Sequence, residues 1–154
     1  MTKIESLLNE YGESHQNETN KLVHWICVPL IFFSIVGLLY SVKLPFYLLT
    51  DIQLNLAHLA ILGSLFYYFK LSKSLSLGLL VFTSICLWFS YVVEEEGVRL
   101  WLISIIIFVL AWIGQFWGHK IEGKKPSFFK DLQFLLIGPA WLMSFIYKKL
   151  DIQI

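Results

Sequence analysis

The sequence predicts an all-α, multi-pass membrane bundle: four transmembrane helices, an N-terminal amphipathic helix, and a C-terminal re-entrant or interfacial segment. Three observations carry this. The chain is 57% hydrophobic and only 15% charged, against about 25% charged in an ordinary soluble domain. That is too little charge to cover a water-facing surface, so lipid must serve as much of its solvent. Four apolar runs approach the roughly 20 residues that a spanning helix needs. The lysines gather on alternate connections between those runs, as the positive-inside rule requires of a multi-pass chain.

The elements follow in order. Ile4, Leu7, Leu8 and Tyr11 recur at i, i+3, i+4, i+7, which predicts an amphipathic helix from about Thr2 to His15, able to lie on the bilayer surface. Asn17, Thr19 and Asn20 are turn and cap formers, so "QNETN" predicts a break. Span one covers Val23–Tyr40. Pro45 and Asp51 mark the first loop, and span two covers the short run Leu54–Phe69. After "KLSKS" comes span three, Leu75–Val93. After "EEEG", expected as a solvated loop, comes span four, Val98–Trp117. Gly118–Gln133 is the longest polar stretch, with Pro126 expected to end its helix. The last run, Phe134–Tyr147, is short and carries a central Gly138-Pro139, which suits a re-entrant or interfacial segment. Trp25, Trp101, Trp117 and Tyr40 fall near span ends, where amphipathic rings sit at the interface.

Several classes fall away. The 154 residues suit one domain, residues 1–154. The net charge is +1 with no basic stripe interleaved with aromatics, so nucleic acid is set aside as a partner. Cys27 and Cys86 lie inside apolar runs and read as buried small hydrophobes, not as a disulfide or zinc pair. The mixed polar first 21 residues do not resemble a signal peptide.

Charge then assigns the sides. Four spans put Lys3, Lys21, Lys70, Lys73, Lys120, Lys124, Lys125 and Lys130 on one side. Lys43 and Arg99 fall on the other, with Asp51, Glu94, Glu95 and Glu96. The lysine-rich side is expected to be cytoplasmic, with both termini there if the last segment is re-entrant. That topology fits a bacterial inner membrane or the endoplasmic reticulum.

It also sorts the four histidines. His15, His24 and His119 share the cytoplasmic face. His58 lies near the opposite end of span two, beyond a hydrocarbon core about 30 Å thick. On one continuous helix His15 and His24 would point to opposite faces, roughly 13 Å apart; the break at 16–20 lets them meet. Gln115, His119 and Glu122 fall at i, i+4, i+7 on one helix face. Three imidazoles with a nearby carboxylate point to a divalent metal. Three histidines, or two and a carboxylate, would serve, and imidazole alone does not choose among Fe, Zn, Cu and Ni. Taken singly, each residue has a plainer reading. His24 would be an interfacial polar residue, His15 a surface residue, His119 a lipid head-group contact beside Lys120, Lys124 and Lys125, and His58 a hydrogen-bonded span residue.

"YGESHQNETNKLVHWICVPL" and "GQFWGHKIEGKKPSF" resemble the two signature segments of the DUF962, or Mpo1-like, family. The residues that carry the resemblance are Tyr11, His15, Asn20, His24 and Pro29, then Gln115, Gly118, His119, Glu122 and Pro126. The resemblance implies an Fe(II)-dependent dioxygenase that shortens 2-hydroxy fatty acids by one carbon with O2. It implies His15, His24 and His119 as the iron ligands. The substrate's carboxylate and 2-hydroxyl would chelate the metal while its acyl chain stays among the spans with membrane lipid. Glu122, Tyr11 and Gln115 are the expected catalytic or ligand-orienting residues, Glu122 with the option of binding iron directly. Lys21, Asn20, Lys120 and Lys124 are the expected substrate-binding residues. Two rival classes remain open: a non-enzymatic lipid-binding or scaffold protein, and a zinc-dependent membrane hydrolase with Glu122 as general base.

Overall fold

A computed structural model describes residues 2–48, 52–123 and 134–154. The expectations on Asp51, Lys124, Lys125, Pro126 and Lys130 lie outside the described residues. The order is α1 (Lys3–Gly12), α2 (Glu18–Tyr40), β1 (Lys43–Leu48), β2 (Ile52–Asn55), α3 (Leu56–Leu71), α4 (Lys73–Glu95), α5 (Leu100–Glu122) and α6 (Ile137–Lys149).

The chain is mostly helical. Among the described residues, α2, α4 and α5 are long and apolar enough to cross a membrane. α3 has 16 residues, about 24 Å at 1.5 Å per residue, short of a core about 30 Å thick. Their outward faces carry Leu62, Phe66, Leu77, Trp88, Leu110 and Ile113, all well over half exposed. An apolar surface this extensive is compatible with a membrane protein.

α2 is the central post and packs against α5 along most of its length. Small residues permit the approach. A side-chain carbon added at Gly114 would lie 2.7 Å from Cys27 Sγ, and one added at Gly118 only 2.5 Å from Asn20 Oδ1. The spacing of four puts both glycines on the α5 face turned to α2, the small-residue packing that helices use in lipid. Gly37 meets Ser104 in the same way further along. α5 then stops at Gly123, whose φ of 73° is the left-handed conformation that favours glycine at a helix end. Gly123 is thus the cap that ends this helix.

Four expectations change. α1 is fixed at its start by a capping box, in which Thr2 Oγ1 accepts from the Glu5 N–H and Glu5 accepts from the Thr2 N–H. Its apolar face does not lie on lipid: Ile4, Leu8 and Tyr11 are buried, and α1 packs on α6. The first loop is a β-hairpin, so the fold is not purely α. Lys43 pairs with Asn55, Tyr47 with Gln53 and Leu48 with Ile52, with an irregularity between Lys43 and Tyr47. Pro45 lies in that irregular stretch, where a missing N–H donor is tolerated. Gly138 and Pro139 do not break the last run. They occupy the first turn of α6, where proline's lost donor would be unpaired anyway. Finally, Glu94 belongs to α4 and pairs with Lys43 at 2.6 Å, while Tyr40 turns inward, buried, with the Lys43 ammonium 4.0 Å over its ring. Cys27 and Cys86 are both buried and unpaired with each other.

Candidate metal centre

Three segments deliver the site. After α1 the chain turns, and the N–H groups of Ser14 and His15 donate back to the carbonyls of Tyr11 and Gly12 at 3.3 and 3.0 Å. Asn17 then caps α2: its side-chain oxygen accepts from the N–H groups of Thr19 and Asn20 at 2.9 and 3.2 Å. This turn folds His15 back over the opening turns of α2, onto His24. His119 arrives from the last turn of α5, seated by the close approach at Gly118. The three imidazoles are 2%, 1% and 4% exposed. One ring nitrogen from each lies within 4.8 Å of the others.

Tautomers follow from partners. His15 Nδ1 is 2.6 Å from the Tyr11 carbonyl oxygen, and His24 Nδ1 is 2.9 Å from that of Asn20. A carbonyl only accepts, so both Nδ1 atoms carry hydrogen. Each neutral ring then offers a lone pair at Nε2, and these two Nε2 atoms face one another at 2.8 Å. Two lone pairs at that distance repel, and a shared cation resolves the conflict. A proton alone would leave a buried imidazolium, which costs free energy. Histidines that bind metals hold the other ring N–H on a carbonyl or carboxylate in this manner. The donor set therefore fits a divalent metal, to which His15, His24 and His119 could each offer one ring nitrogen.

The surroundings hold the rings in place. Tyr11 stacks on His15 at 4.3 Å and 14°, and Trp141 of α6 lies 5.2 Å from the same ring. Glu122 does not reach into the cluster. Its carboxylate accepts from the backbone N–H of Gln16 at 2.9 Å, from that of Asn17 at 2.9 and 3.2 Å, and from the Asn20 amide at 3.0 Å. It clasps the start of α2, where a helix dipole favours negative charge. Partial burial pushes the Glu122 carboxyl up, but the donors of Asn17, Asn20 and Gln16 outweigh it and hold the group below its usual range.

Gln115 is buried, and its Oε1 has no hydrogen-bond partner among the described residues. It lines a cavity of about 30 Å³ shared with Tyr11, His24 and Leu135, room for about one water.

A family described as "2-hydroxy-palmitic acid dioxygenase Mpo1-like" matches residues 1–150. The chain belongs to this family. The chain is also similar to the 2-hydroxy-palmitic acid dioxygenase MPO1 of Saccharomyces cerevisiae, at 30% identity over 148 residues. That match covers 94% of this chain and 80% of the yeast protein. No solved structure matches.

The residues that carry the family resemblance can now be given their geometry. His15, His24 and His119 come together, and His58 lies elsewhere, beside Tyr40 at the other end of α2. Tyr11 and Asn20 each stand four residues before a histidine, and each reaches its ring through the backbone carbonyl. Asn20, expected at the substrate, gives its amide to Glu122 and to the Ser14 carbonyl at 3.4 Å. Lys21 pairs with Glu18 at 3.0 Å on the surface. Lys120 is exposed at the end of α5, and Lys124 lies outside the described residues. The sequence does not single out Trp141, since an aromatic within an apolar run carries no sign of its partner.

Proposed function

We propose that this chain is an Fe(II)-dependent dioxygenase of 2-hydroxy fatty acids, acting at one face of a membrane. One 2-hydroxy fatty acid and one O2 give the fatty acid one carbon shorter, CO2 and water, which balances without an outside reductant. The observation that carries the reading is the facing pair of Nε2 atoms at 2.8 Å, with both Nδ1 atoms committed to carbonyls and His119 alongside. Membership of the family supports the substrate class.

Bound by the three histidines, iron would supply Lewis acidity and one-electron chemistry toward O2. The protein's part is to position and to exclude. The Tyr11 and Asn20 carbonyls keep the Nδ1 protons on His15 and His24. Tyr11, stacked on the His15 ring, and Trp141, tilted against it, hold that ring in place. Glu122 locks the 16–20 turn to α5, so the two halves of the ligand set stay together. Gln115 Oε1, buried beside His24, accepts the hydrogen bond of the substrate's 2-hydroxyl. Lys120 at the nearby surface attracts the carboxylate during approach. The three long helices and α3 act as spans, with the histidine end on the lysine-rich, cytoplasmic side.

The rivals fare worse. A hydrolase needs the Glu122 carboxylate free to take a proton from water, and both of its oxygens are taken up by N–H donors. A scaffold has no use for lone pairs turned inward in a buried site, which cost free energy unless a ligand meets them.

The test is anaerobic purification followed by elemental analysis, then O2 uptake with 2-hydroxyhexadecanoic acid. Stoichiometric iron and a product one carbon shorter are expected. Zinc in its place, or metal content unchanged in His15→Ala, His24→Ala and His119→Ala alike, would refute the reading.

A further inference from the structure

Two apolar clefts adjoin the small cavity beside His24. The larger, about 390 Å³, lies between α2 and α3 under Leu135 and Leu136. The smaller, about 200 Å³, lies between α2, α4 and α6. Packed protein interiors leave few voids bigger than a water, so both call for an occupant.

Each meets the cavity at His24 through one shared residue, Leu135 for the larger and Val28 for the smaller, so size and reach separate them. Leu135 walls both the cavity at His24 and the α2–α3 cleft. Among the α2 residues that line the two, His24, Val28, Ile31, Ile35 and Leu39 fall in one stripe, at i, i+4, i+7, i+11 and i+15, with Phe32 and Val36 beside it. From His24 to Leu39 the helix rises about 22 Å. A fatty acyl chain in a bilayer reaches across about half of a core about 30 Å thick, so the stripe is long enough to hold one extended. α3 faces it with Ala57, Ala60 and Ser64, and their small side chains leave the space open. Ala60 is exposed at the cleft's outer wall, so a chain can enter sideways from lipid without crossing water. The α4–α6 cleft touches the cavity only through Val28 and uses α2 only from Trp25 to Pro29. On α2 that is about one turn, level with the histidines, and on α6 the cleft runs from Pro139 to Ile146, about 10 Å; with about half the volume of the other it has less room for a long chain.

We infer that the acyl chain of the 2-hydroxy fatty acid lies in the α2–α3 cleft, bending at Leu135 as it leaves the histidine site, and that Ala60 with Ala57 and Leu39 sets the chain length accepted. This rests on the proposed chemistry of the histidine site.

The test uses the full chain in phosphatidylcholine nanodiscs and a 2-hydroxyhexadecanoic acid bearing a terminal diazirine. After irradiation the label is expected on Ile35–Leu39 or Ala57–Ile61, displaced by unlabelled 2-hydroxyhexadecanoic acid. Label on Phe82, Met143 or Ile146 would overturn the assignment. So would label in the α2–α3 cleft that the free acid does not displace, since bilayer lipid would then be the occupant. Turnover supplies a second readout. Ala60→Phe is expected to lower kcat/KM for the hexadecanoic relative to the octanoic substrate by about tenfold or more, and Met143→Phe to leave that ratio unchanged. A ratio moved by Met143→Phe alone, or equal loss on both substrates in Ala60→Phe, would refute it. Displaceable label in the cleft without turnover would sink the dioxygenase reading and support the cleft. Turnover with label at Met143 would do the reverse.

Discussion

The two ends of α2 carry similar residues and do different things with them. At the Tyr40 end stand a histidine, an aromatic ring, a lysine and a glutamate. Lys43 pairs with Glu94 and covers the Tyr40 ring, and His58 lies 6.3 Å from that ring, only partly buried. Each charge there meets its opposite at a part-exposed edge. At the His24 end the glutamate is spent on backbone and amide N–H groups, and the three imidazoles bring ring nitrogens within 4.8 Å of one another. The difference teaches that histidines alone do not make a site. It takes a chain reversal, which lets residues nine apart meet, and a glycine, which lets a second helix close in.

The strongest way to break the comparison is to exchange the histidines' fates. His24→Ala should abolish iron binding and turnover, since a three-ligand site loses a ligand and its partner ring keeps no cation to share. His58→Ala should retain stoichiometric iron. Elemental analysis of both variants, purified without oxygen, decides it. Iron lost in His58→Ala would mean that the two ends are not independent.

The next effect is on packing. Gly118→Ala puts a carbon 2.5 Å from Oδ1 of the fully buried Asn20 and 3.2 Å from Val23, and overpacking of this kind costs about 1–3 kcal/mol. Because Asn20 carries the carbonyl that holds His24, iron affinity should fall with stability. Gly63→Ala on α3 meets nothing within 4 Å. It should be neutral, or stabilising by up to about 1 kcal/mol through helix propensity. Thermal unfolding and iron titration of the pair measure both effects.

Much of this contrast can be read from the sequence, and the limit has a physical cause. Spanning helices leave a signature in composition, so α2, α4 and α5 appear as long apolar runs with ends correct to a few residues. Depth in the membrane follows from position along a span, which is why His58 separates from the other three on paper. The i, i+4, i+7 spacing of Gln115, His119 and Glu122 correctly puts them on one face. Three things stay hidden. Glu122 finds its partners across a hundred residues, and spacing along one helix says nothing of that. The support from Tyr11 and Asn20 runs through backbone carbonyls, which every residue has. Pro45 signals a loop and so hides the β1–β2 pairing, although Phe46, Tyr47 and Ile52 are strand formers.

A smaller effect separates the two glutamates. Glu122→Ala frees the 16–20 turn from α5 and should weaken iron binding about 10–100-fold, the usual loss when a support of metal ligands is removed. Glu122→Gln, which can still accept a hydrogen bond, should fall between that and the parent. Lys43→Ala breaks the pair at the other end and should leave iron affinity unchanged. Its stability should shift by less than about 1 kcal/mol, as expected of a part-exposed ion pair. Equal iron affinity in Glu122→Ala and the parent would show that the clasp is dispensable.

The smallest effect is a pH dependence confined to the histidine end. Burial tends to raise the Glu122 carboxyl, but the N–H donors of Asn17, Asn20 and Gln16 prevail and keep its folded value below the ordinary 4.5. A carboxylate lowered in the folded state contributes stability that is fully present above 4.5 and lost as the pH falls through the folded value. Partial exposure screens the effect and keeps it modest. Unfolding midpoints measured through the acid range should therefore decline faster in the parent than in Glu122→Gln, which has no proton to gain there. The two should run parallel above the window. Parallel curves throughout would mean that Glu122 meets the same surroundings folded and unfolded, and that the turn before α2 is held by Asn17's cap alone.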